Sequence, residues 1–459
     1  MNAFSSFALS APLLDALAAR GYQTPTPIQA AALPCVLARR DVIAQAATGS
    51  GKTVVFGLGV LQSLAPERTG LQALIVCPTR ELADQVAGAV RQLAMHLSNV
   101  KVLTLCGGTP IRHQRSSLEH PPHIVVATPG RLLAHLRNGH LAVDTLRTLV
   151  LDEADRMLEM GFDKDIDAIV AYLPTQRQTL MFSATWPEPI RRASARLQHD
   201  PVDAIADAPT DRPDIREQRC DVGAHDKLTA LVGLLGAARD DGRALVFCNT
   251  RAATDRVTAD LSRRGFSALA LHGDRDQRER DEVLIRFGHG SCRVLVATDV
   301  AARGLDITDL PLVISFDVAR DAETHTHRIG RTGRAGSSGR AIILCGTDER
   351  ERADRIAQSL NRQPERIGVE RMPSTRPAPA PWVTLRIEGG RRDKLRPGDL
   401  LGALTGDAGL PGSAVGRIDI QANRSYVAID QEHARTALAR LHKHGIKRRR
   451  LRISIVGER

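Results

Sequence analysis

Ala44-Gln-Ala-Ala-Thr-Gly-Ser-Gly-Lys-Thr53 decides the architecture of the first half of the chain. It follows the apolar run Asp41–Gln45 and precedes an apolar helical stretch, so it is read as a strand, a glycine loop and a helix. The pattern is that of a phosphate loop, with Ala46 where the general form has its first glycine. Ala47, Thr48, Gly49, Ser50 and Gly51 would wrap phosphate oxygens with backbone N–H groups. Lys52 would reach the β- and γ-phosphates, and the Thr53 hydroxyl would hold Mg²⁺.

Working outward, short Val/Ile/Leu-rich runs recur at Ala73–Cys77, Val102–Leu105, Ile124–Ala127, Leu149–Leu151 and Leu180–Phe182, separated by amphipathic stretches such as Glu81–Met95. Strands apolar on both faces and alternating with helices predict a parallel sheet covered by helices. The rhythm returns at Ala244–Phe247, Ala268–Leu271, Val294–Ala297, Val313–Ser315 and Ala341–Leu344. This predicts two α/β domains, 1–205 and 214–370. Ala206–Pro213 reads as a linker, and Met372–Trp382, with four prolines, as an extended spacer covering 371–381. In the remaining stretch, 382–459, Val383–Ile387, Arg417–Ile420, Ser425–Ile429 and Leu451–Ile455 alternate like strands with one solvated face, with a helix at His433–His444. This predicts a small α+β module.

Charge follows the same division. The chain carries +11 over 459 residues, and Trp382–Arg459 alone holds 16 Lys and Arg against 8 Asp and Glu, +8 of that total. A tail this uneven marks a polyanion foot, and with aromatics at 3% phosphate and sugar contacts should outweigh base stacking. Seven scattered cysteines without a C-x-x-C pair argue against disulfides or structural zinc and for a reduced, cytoplasmic protein. No apolar run approaches the ~18 residues of a membrane span, and Met1–Arg20 lacks the features of a signal peptide.

Asp152-Glu-Ala-Asp155 follows a buried strand about a hundred residues after the loop. A carboxylate there is placed to hold Mg²⁺ (Asp152) and to polarise the attacking water (Glu153). Together with the phosphate loop it resembles the signature of DEAD-box RNA helicases, and further matches span both α/β domains. Gly21-Tyr-Gln-Thr-Pro-Thr-Pro-Ile-Gln29, with Phe4 upstream, is similar to the Q motif. The resemblance implies that Gln29 bonds adenine and Tyr22 stacks on it. Pro78-Thr-Arg-Glu-Leu-Ala83 (Pro78, Thr79, Arg80), Gly107-Gly108 and Thr128-Pro129-Gly130-Arg131 resemble RNA-backbone motifs. Ser183-Ala-Thr185 resembles the segment that couples hydrolysis to unwinding, its hydroxyls bonding back to the acids.

The second domain has no phosphate loop. Its His327-Arg-Ile-Gly-Arg-Thr-Gly-Arg334 resembles the arginine-finger motif, with Arg331 and Arg334 directed at the γ-phosphate and His327 and Arg328 bridging the domains. By the same resemblance Asp306 would contact the ATP ribose, near Arg303. Asn249, Thr250, Gly273 and Thr298, with Gln277, Arg280 and Asp299, match RNA-facing or interdomain motifs. Closure of the two domains would then bend one RNA strand and expel its partner.

The tail, on Arg391–Gly406 and Gly416–Ile420, resembles an RNA-recognition fold of a bacterial subgroup that binds large-subunit ribosomal RNA. It departs from the aromatic signature of that fold, carrying Leu385 and Ile387 on the first strand and Tyr426 alone near the stacking strand. Arg391, Arg392, Lys394 and Arg396, with Lys447–Arg450, are therefore the expected RNA contacts. The implied activity is ATP- and Mg²⁺-dependent local unwinding of RNA by a monomer, directed at 23S ribosomal RNA and pre-ribosomal particles. An ATP-gated RNA clamp and a general helicase of RNA decay or cold adaptation are the alternatives, and a DNA translocase fits the motifs least.

Overall fold

The computed structural model describes residues 3–46, 50–205, 215–223, 227–237, 242–302, 310–333, 338–368, 377–407, 409–447 and 449–457. It divides into two units, one built on the first sheet and one holding the second and third sheets.

The first unit is a seven-stranded parallel sheet ordered β3-β4-β2-β5-β6-β1-β7. Its strands are β1 Val42–Gln45, β2 Ala73–Val76, β3 Val102–Leu105, β4 Ile124–Ala127, β5 Thr148–Asp152, β6 Gln178–Ser183 and β7 Val202–Ile205. All residues of β2, β4, β5 and β6 are buried. Alternate side chains feed two cores: Ile75, Val126, Val150 and Leu180 face one, and Leu74, Val125, Leu149 and Met181 the other. Each such side chain contributes roughly 1.5–3 kcal/mol of burial. Parallel strands all end on the same edge, so the loops after β1, β2, β3, β4 and β5 gather there.

The second unit repeats the plan with a parallel sheet ordered β10-β11-β9-β12-β13-β8-β14. These strands are β8 Ile215–Gly223, β9 Ala244–Cys248, β10 Ala268–Leu271, β11 Val294–Thr298, β12 Leu312–Ser315, β13 Gly339–Gly346 and β14 Glu365–Ile367. Strand β8 has no counterpart in the sequence reading because it carries Arg216, Glu217, Arg219 and Asp221. Ion pairs absorb these charges: Arg219 is buried against Asp221 on the same strand and Asp354 on the helix Arg350–Ser359, and Arg216 grips Glu365 on β14 with two bonds of 2.8 and 3.0 Å.

The third sheet is antiparallel, ordered β16-β17-β15-β18, with β15 Trp382–Ile387, β16 Val415–Ile420, β17 Ser425–Asp430 and β18 Ile453–Ile455. Helices Pro397–Gly402 and Ala434–His444 pack on one face, where Leu385, Ile387, Val427 and Ile429 form the module's own core. The opposite face is not solvated. Thr384 meets Ser291 Oγ at 2.7 Å and His289 Nδ1 at 3.2 Å, while His289 Nε2 lies 2.9 Å from Asp419 on β16. Arg386 pairs with Glu282 at 3.0 Å. Gly290, at φ +72°, lies so close to the Trp382 ring that a Cβ there would stand 3.0 Å from it. Tyr426 is only 2% exposed. The sheet face thus docks on the second α/β domain, which corrects the expectation of a solvated strand face. Exchanging the charges of Arg386 and Glu282 singly should make the 377–382 segment more sensitive to limited proteolysis, and the double exchange should restore protection.

Candidate nucleotide and nucleic-acid sites

The loop after β1 is anchored before any ligand arrives. Lys52 opens the helix Lys52–Gln62 and is buried, its Nζ donating to the Ala46 carbonyl at 2.9 Å. Gly51 adopts φ +95°, and a Cβ there would sit 2.3 Å from Gln29 Nε2, so only glycine lets the two segments approach. Gln29 is 1% exposed. Its Oε1 accepts from the Thr26 N–H at 2.8 Å and its Nε2 donates to the Gly51 carbonyl at 3.3 Å, while Thr26 Oγ1 donates to the Ser50 carbonyl at 2.7 Å. The amide that the sequence assigns to adenine therefore also ties the Q segment to the phosphate loop. The Tyr22 ring is half-buried, with the Arg20 guanidinium 5.7 Å from its centroid. Ala47, Thr48 and Gly49 lie outside the described residues.

Facing this loop, Asp152 ends β5 fully inside the protein. Burial pushes its carboxyl up to about 7, against the opposing charge of Lys52. Glu153 is held in the left-handed region at φ 53° and pairs with Arg156 at 2.9 Å. Asp155 is the acid that binds Ser183-Ala-Thr185. Its Oδ2 accepts from the N–H groups of Ala184 and Thr185, both at 3.0 Å, and from Thr185 Oγ1 at 3.1 Å. Ser183 Oγ accepts from the Asp155 N–H at 3.3 Å and donates to the Thr185 carbonyl at 2.7 Å. Burial alone would raise the Asp155 carboxyl, yet bonds from Ser183 and Thr185 hold it below the ordinary range. The sequence reading has these hydroxyls bond back to the acids as a group; the structure names Asp155 as their partner, an acid given no role of its own. Asp155→Ala leaves several buried donors without an acceptor and should cost ~2–4 kcal/mol in chemical denaturation, and Asp155→Asn should cost less.

The loops after β2, β3 and β4 carry the expected RNA contacts of the first domain on one sheet edge. Pro78 and Thr79 follow β2, and Thr79 caps the helix Arg80–Leu93, its Oγ1 accepting from the Leu82 N–H at 3.3 Å. Gly108 turns at φ 78° after β3. Thr128 precedes the helix Pro129–Arg137, which includes Gly130 and Arg131. Two helix N-termini and a glycine turn side by side offer backbone N–H groups suited to successive phosphates. Arg80 Nη1 and Arg131 Nη1 donate to the Gly107 and Thr109 carbonyls, so both guanidinium groups also brace this edge.

In the second unit Thr250 repeats the role of Thr79, capping the helix Arg251–Arg263 by accepting from the Ala253 N–H at 3.1 Å. Gly273 follows β10 beneath the Arg251 guanidinium, and Thr298 is buried at the end of β11. Asn249 departs from the sequence expectation. Its Nδ2 donates to the Val318 carbonyl at 3.0 Å and its Oδ1 accepts from Arg328 Nη2 at 2.7 Å, which makes its amide an internal tie. Arg328 departs further. It is 1% exposed, grips both oxygens of Asp299 at 2.6 and 2.8 Å, donates to the Asp317 carbonyl at 2.6 Å and stacks 5.2 Å from the Phe247 centroid. It holds β9, β11 and β12 ends together within its own domain and is not a reaching group. Arg331 lies two residues beyond the helix Ala322–Ile329 and is buried. Arg334, Arg303 and Asp306 lie outside the described residues.

The module brings two basic segments together. Arg391, Arg392, Lys394 and Arg396 are exposed, and so are Lys447, Arg449 and Arg450. Lys447 pairs with Asp399 at 2.7 Å and donates to the Lys394 carbonyl at 3.2 Å, while Arg449 donates to the Asp393 carbonyl at 3.3 Å. These contacts join the two runs into one exposed cationic surface.

Comparison with known proteins finds family matches along the chain. The DEAD/DEAH box helicase family matches residues 26–193, the helicase conserved C-terminal domain 226–336, and the DbpA RNA binding domain 384–455. The chain is 50% identical to the ATP-dependent RNA helicase DbpA of Escherichia coli over 99% of its own length and 100% of that protein. It is 41% identical to the DEAD-box ATP-dependent RNA helicase CshA of Geobacillus kaustophilus, over 80% of this chain and 78% of that one. Among solved structures, S. cerevisiae Dbp5 bound to RNA and ADP BeF3 superposes with a TM-score of 0.73 at 28% identity, covering 81% of this chain and 96% of that one. With the nucleotide loop, the acid-hydroxyl network and the RNA-binding tail in family order, the chain belongs to the DEAD-box ATP-dependent RNA helicases.

Proposed function

We propose that this helicase is directed by its C-terminal module to large-subunit (23S) ribosomal RNA and remodels short duplexes there during assembly of the large subunit. The observation that carries this reading is the composite cationic surface of Arg391, Arg392, Lys394 and Arg396 with Lys447, Arg449 and Arg450, joined by the Lys447–Asp399 pair. The match to the DbpA RNA binding domain, and to DbpA along its whole length, supports it.

In the catalytic reading, Lys52 supplies a point charge to the β/γ-phosphates of ATP, and the Thr53 and Asp152 oxygens hold Mg²⁺. The fit is that of a hard cation: a carboxylate buried until its proton is held to about 7 is relieved by a divalent charge. When bound, that ion neutralises phosphate charge. Glu153, braced by Arg156, orients the attacking water, and Arg331 with Arg334 stabilises transition-state charge from the second domain. Asp155 transmits the state of the acids to Ser183-Ala-Thr185 through its hydrogen bonds. The loops of Thr79, Gly108 and Thr128–Arg131, with Thr250, Gly273 and Thr298, hold one RNA strand by its phosphates and 2′-hydroxyls.

Charge reversal in the full chain tests the targeting. Arg391→Glu with Arg392→Glu and Lys394→Glu should leave ATPase stimulation by polyuridylate within about twofold. Stimulation by a 23S ribosomal RNA fragment should need more RNA, and the salt dependence of binding should flatten by about 0.9 in log–log slope per lost duplex phosphate contact. An unchanged ratio between the two RNAs would sink the assignment.

A further inference from the structure

Gln114, on the helix Ile111–Leu118, is buried beside the RNA-facing edge of the first domain, and no motif includes it. Its Nε2 donates to the Cys106 carbonyl at 2.8 Å. A carbonyl only accepts, so the amide nitrogen must face it and Oε1 must face the other way. There Oε1 accepts from Arg131 Nη1 at 2.8 Å and lies 2.9 Å from His135 Nε2. His135 is therefore the donor, with its proton on Nε2. Burial, then the neighbouring His140 and Arg131, push the pKa of His135 down to about 4, so the ring stays neutral. Arg131 Nη1 reaches on to the Thr109 carbonyl at 2.6 Å, and Arg80 Nη1 donates to the Gly107 carbonyl at 3.3 Å. Side chains from three helices thus grip the carbonyls of residues 106, 107 and 109, and the amide of Gln114 joins two of those grips.

We propose that Gln114 is a positioning residue for RNA: it fixes the 106–109 loop against the Thr128–Arg131 turn so that both meet the same strand. The proposal rests on reading those two loops as RNA-backbone contacts. A rigid pair of loops presents donors in one spacing, whereas a loosened pair must be ordered by the RNA at a cost in affinity. Saturating RNA restores the order, so the loss falls on half-saturation and not on turnover.

The test is RNA-stimulated ATPase of the full chain, titrated with polyuridylate. Gln114→Met keeps length and apolar volume but none of the hydrogen bonds. It should raise the half-saturating RNA concentration about tenfold, with plateau turnover within about twofold. Gln114→Glu keeps the acceptor for Arg131 and His135 but sets a second oxygen against the Cys106 carbonyl, so it should recover only part of that loss. His135→Leu removes one donor alone and should give a smaller rise in the same direction, which keeps the test open if Gln114→Met folds poorly. Unchanged half-saturation in Gln114→Met overturns the proposal, as does a parallel fall in plateau turnover and melting temperature. Arg80→Ala separates the two ways of failing. If it weakens RNA and Gln114→Met does not, the positioning role alone is wrong; if neither weakens RNA, the loop reading fails and the proposal goes with it.

Discussion

RNA-stimulated ATP hydrolysis should fall about 10³-fold or more in Arg331→Ala, with nucleotide affinity changed less than about threefold. On the proposed reading, the second domain carries no phosphate loop and its arginine would act on charge that develops during the reaction more than on the bound ground state. Its neighbour Arg328 makes the comparison informative. Arg328 is tied to Asp299, Asn249 and the Asp317 carbonyl, so Arg328→Ala should unfold the second domain at lower denaturant instead of selectively removing turnover. Nucleotide binding and single-turnover hydrolysis, measured together, distinguish the two. Equal losses of binding and turnover in Arg331→Ala would make it a ground-state ligand or a structural residue.

Lys52→Ala should reduce RNA-stimulated turnover by at least about 10²-fold, the size expected for one lost charge-stabilising donor in a water-excluded site. Two effects combine. The β/γ-phosphates lose the point charge of the loop, and Asp152 loses the positive neighbour that holds its carboxyl down against burial. Its proton would then be held more tightly, which opposes Mg²⁺ binding. The helix beginning at Lys52 remains packed through Val54, Val55, Phe56 and Leu58, so the fold should survive. Turnover within a few-fold of the parent would show that Lys52 does not hold the phosphates.

The parallel strands were legible because their residues are apolar on both faces: every residue of β2, β4 and β9 is buried, and each had been marked by an unbroken apolar run. Strand β8 was hidden because most partners of its charges, among them Asp354, Glu365, His325 and Arg366, lie more than a hundred residues downstream. The short helix Pro397–Gly402 is too brief to show a period. At the site, glycines, acids and arginines at motif spacing could be named from letters alone. What letters could not give was direction. Asn249 reads as RNA-facing and Arg328 as a bridge between domains, yet both side chains bond inward, and Tyr426, the lone aromatic near the expected stacking strand, is buried at the docked sheet face. Asp155 and Gln114 owe their importance to partners 8–30 residues away, which periodicity does not encode.

The seam of His289, Ser291 and Glu282 against Thr384, Asp419 and Arg386 bears on how such helicases can be recombined. A proline-rich spacer invites the view that the tail is an interchangeable cartridge, to be cut near residue 377 and grafted onto another core. Here a graft would carry half a lock. A recipient domain without a histidine, a serine and a glutamate at the matching positions would leave Thr384 and Asp419 facing an unmatched surface and would expose Trp382 and Tyr426. Chimeras made by exchanging only the tail should therefore aggregate or lose orientation. Those that also transplant the recipient-side helix Gln277–Gly288 and the turn through Ser291 should keep a fixed address for their cargo.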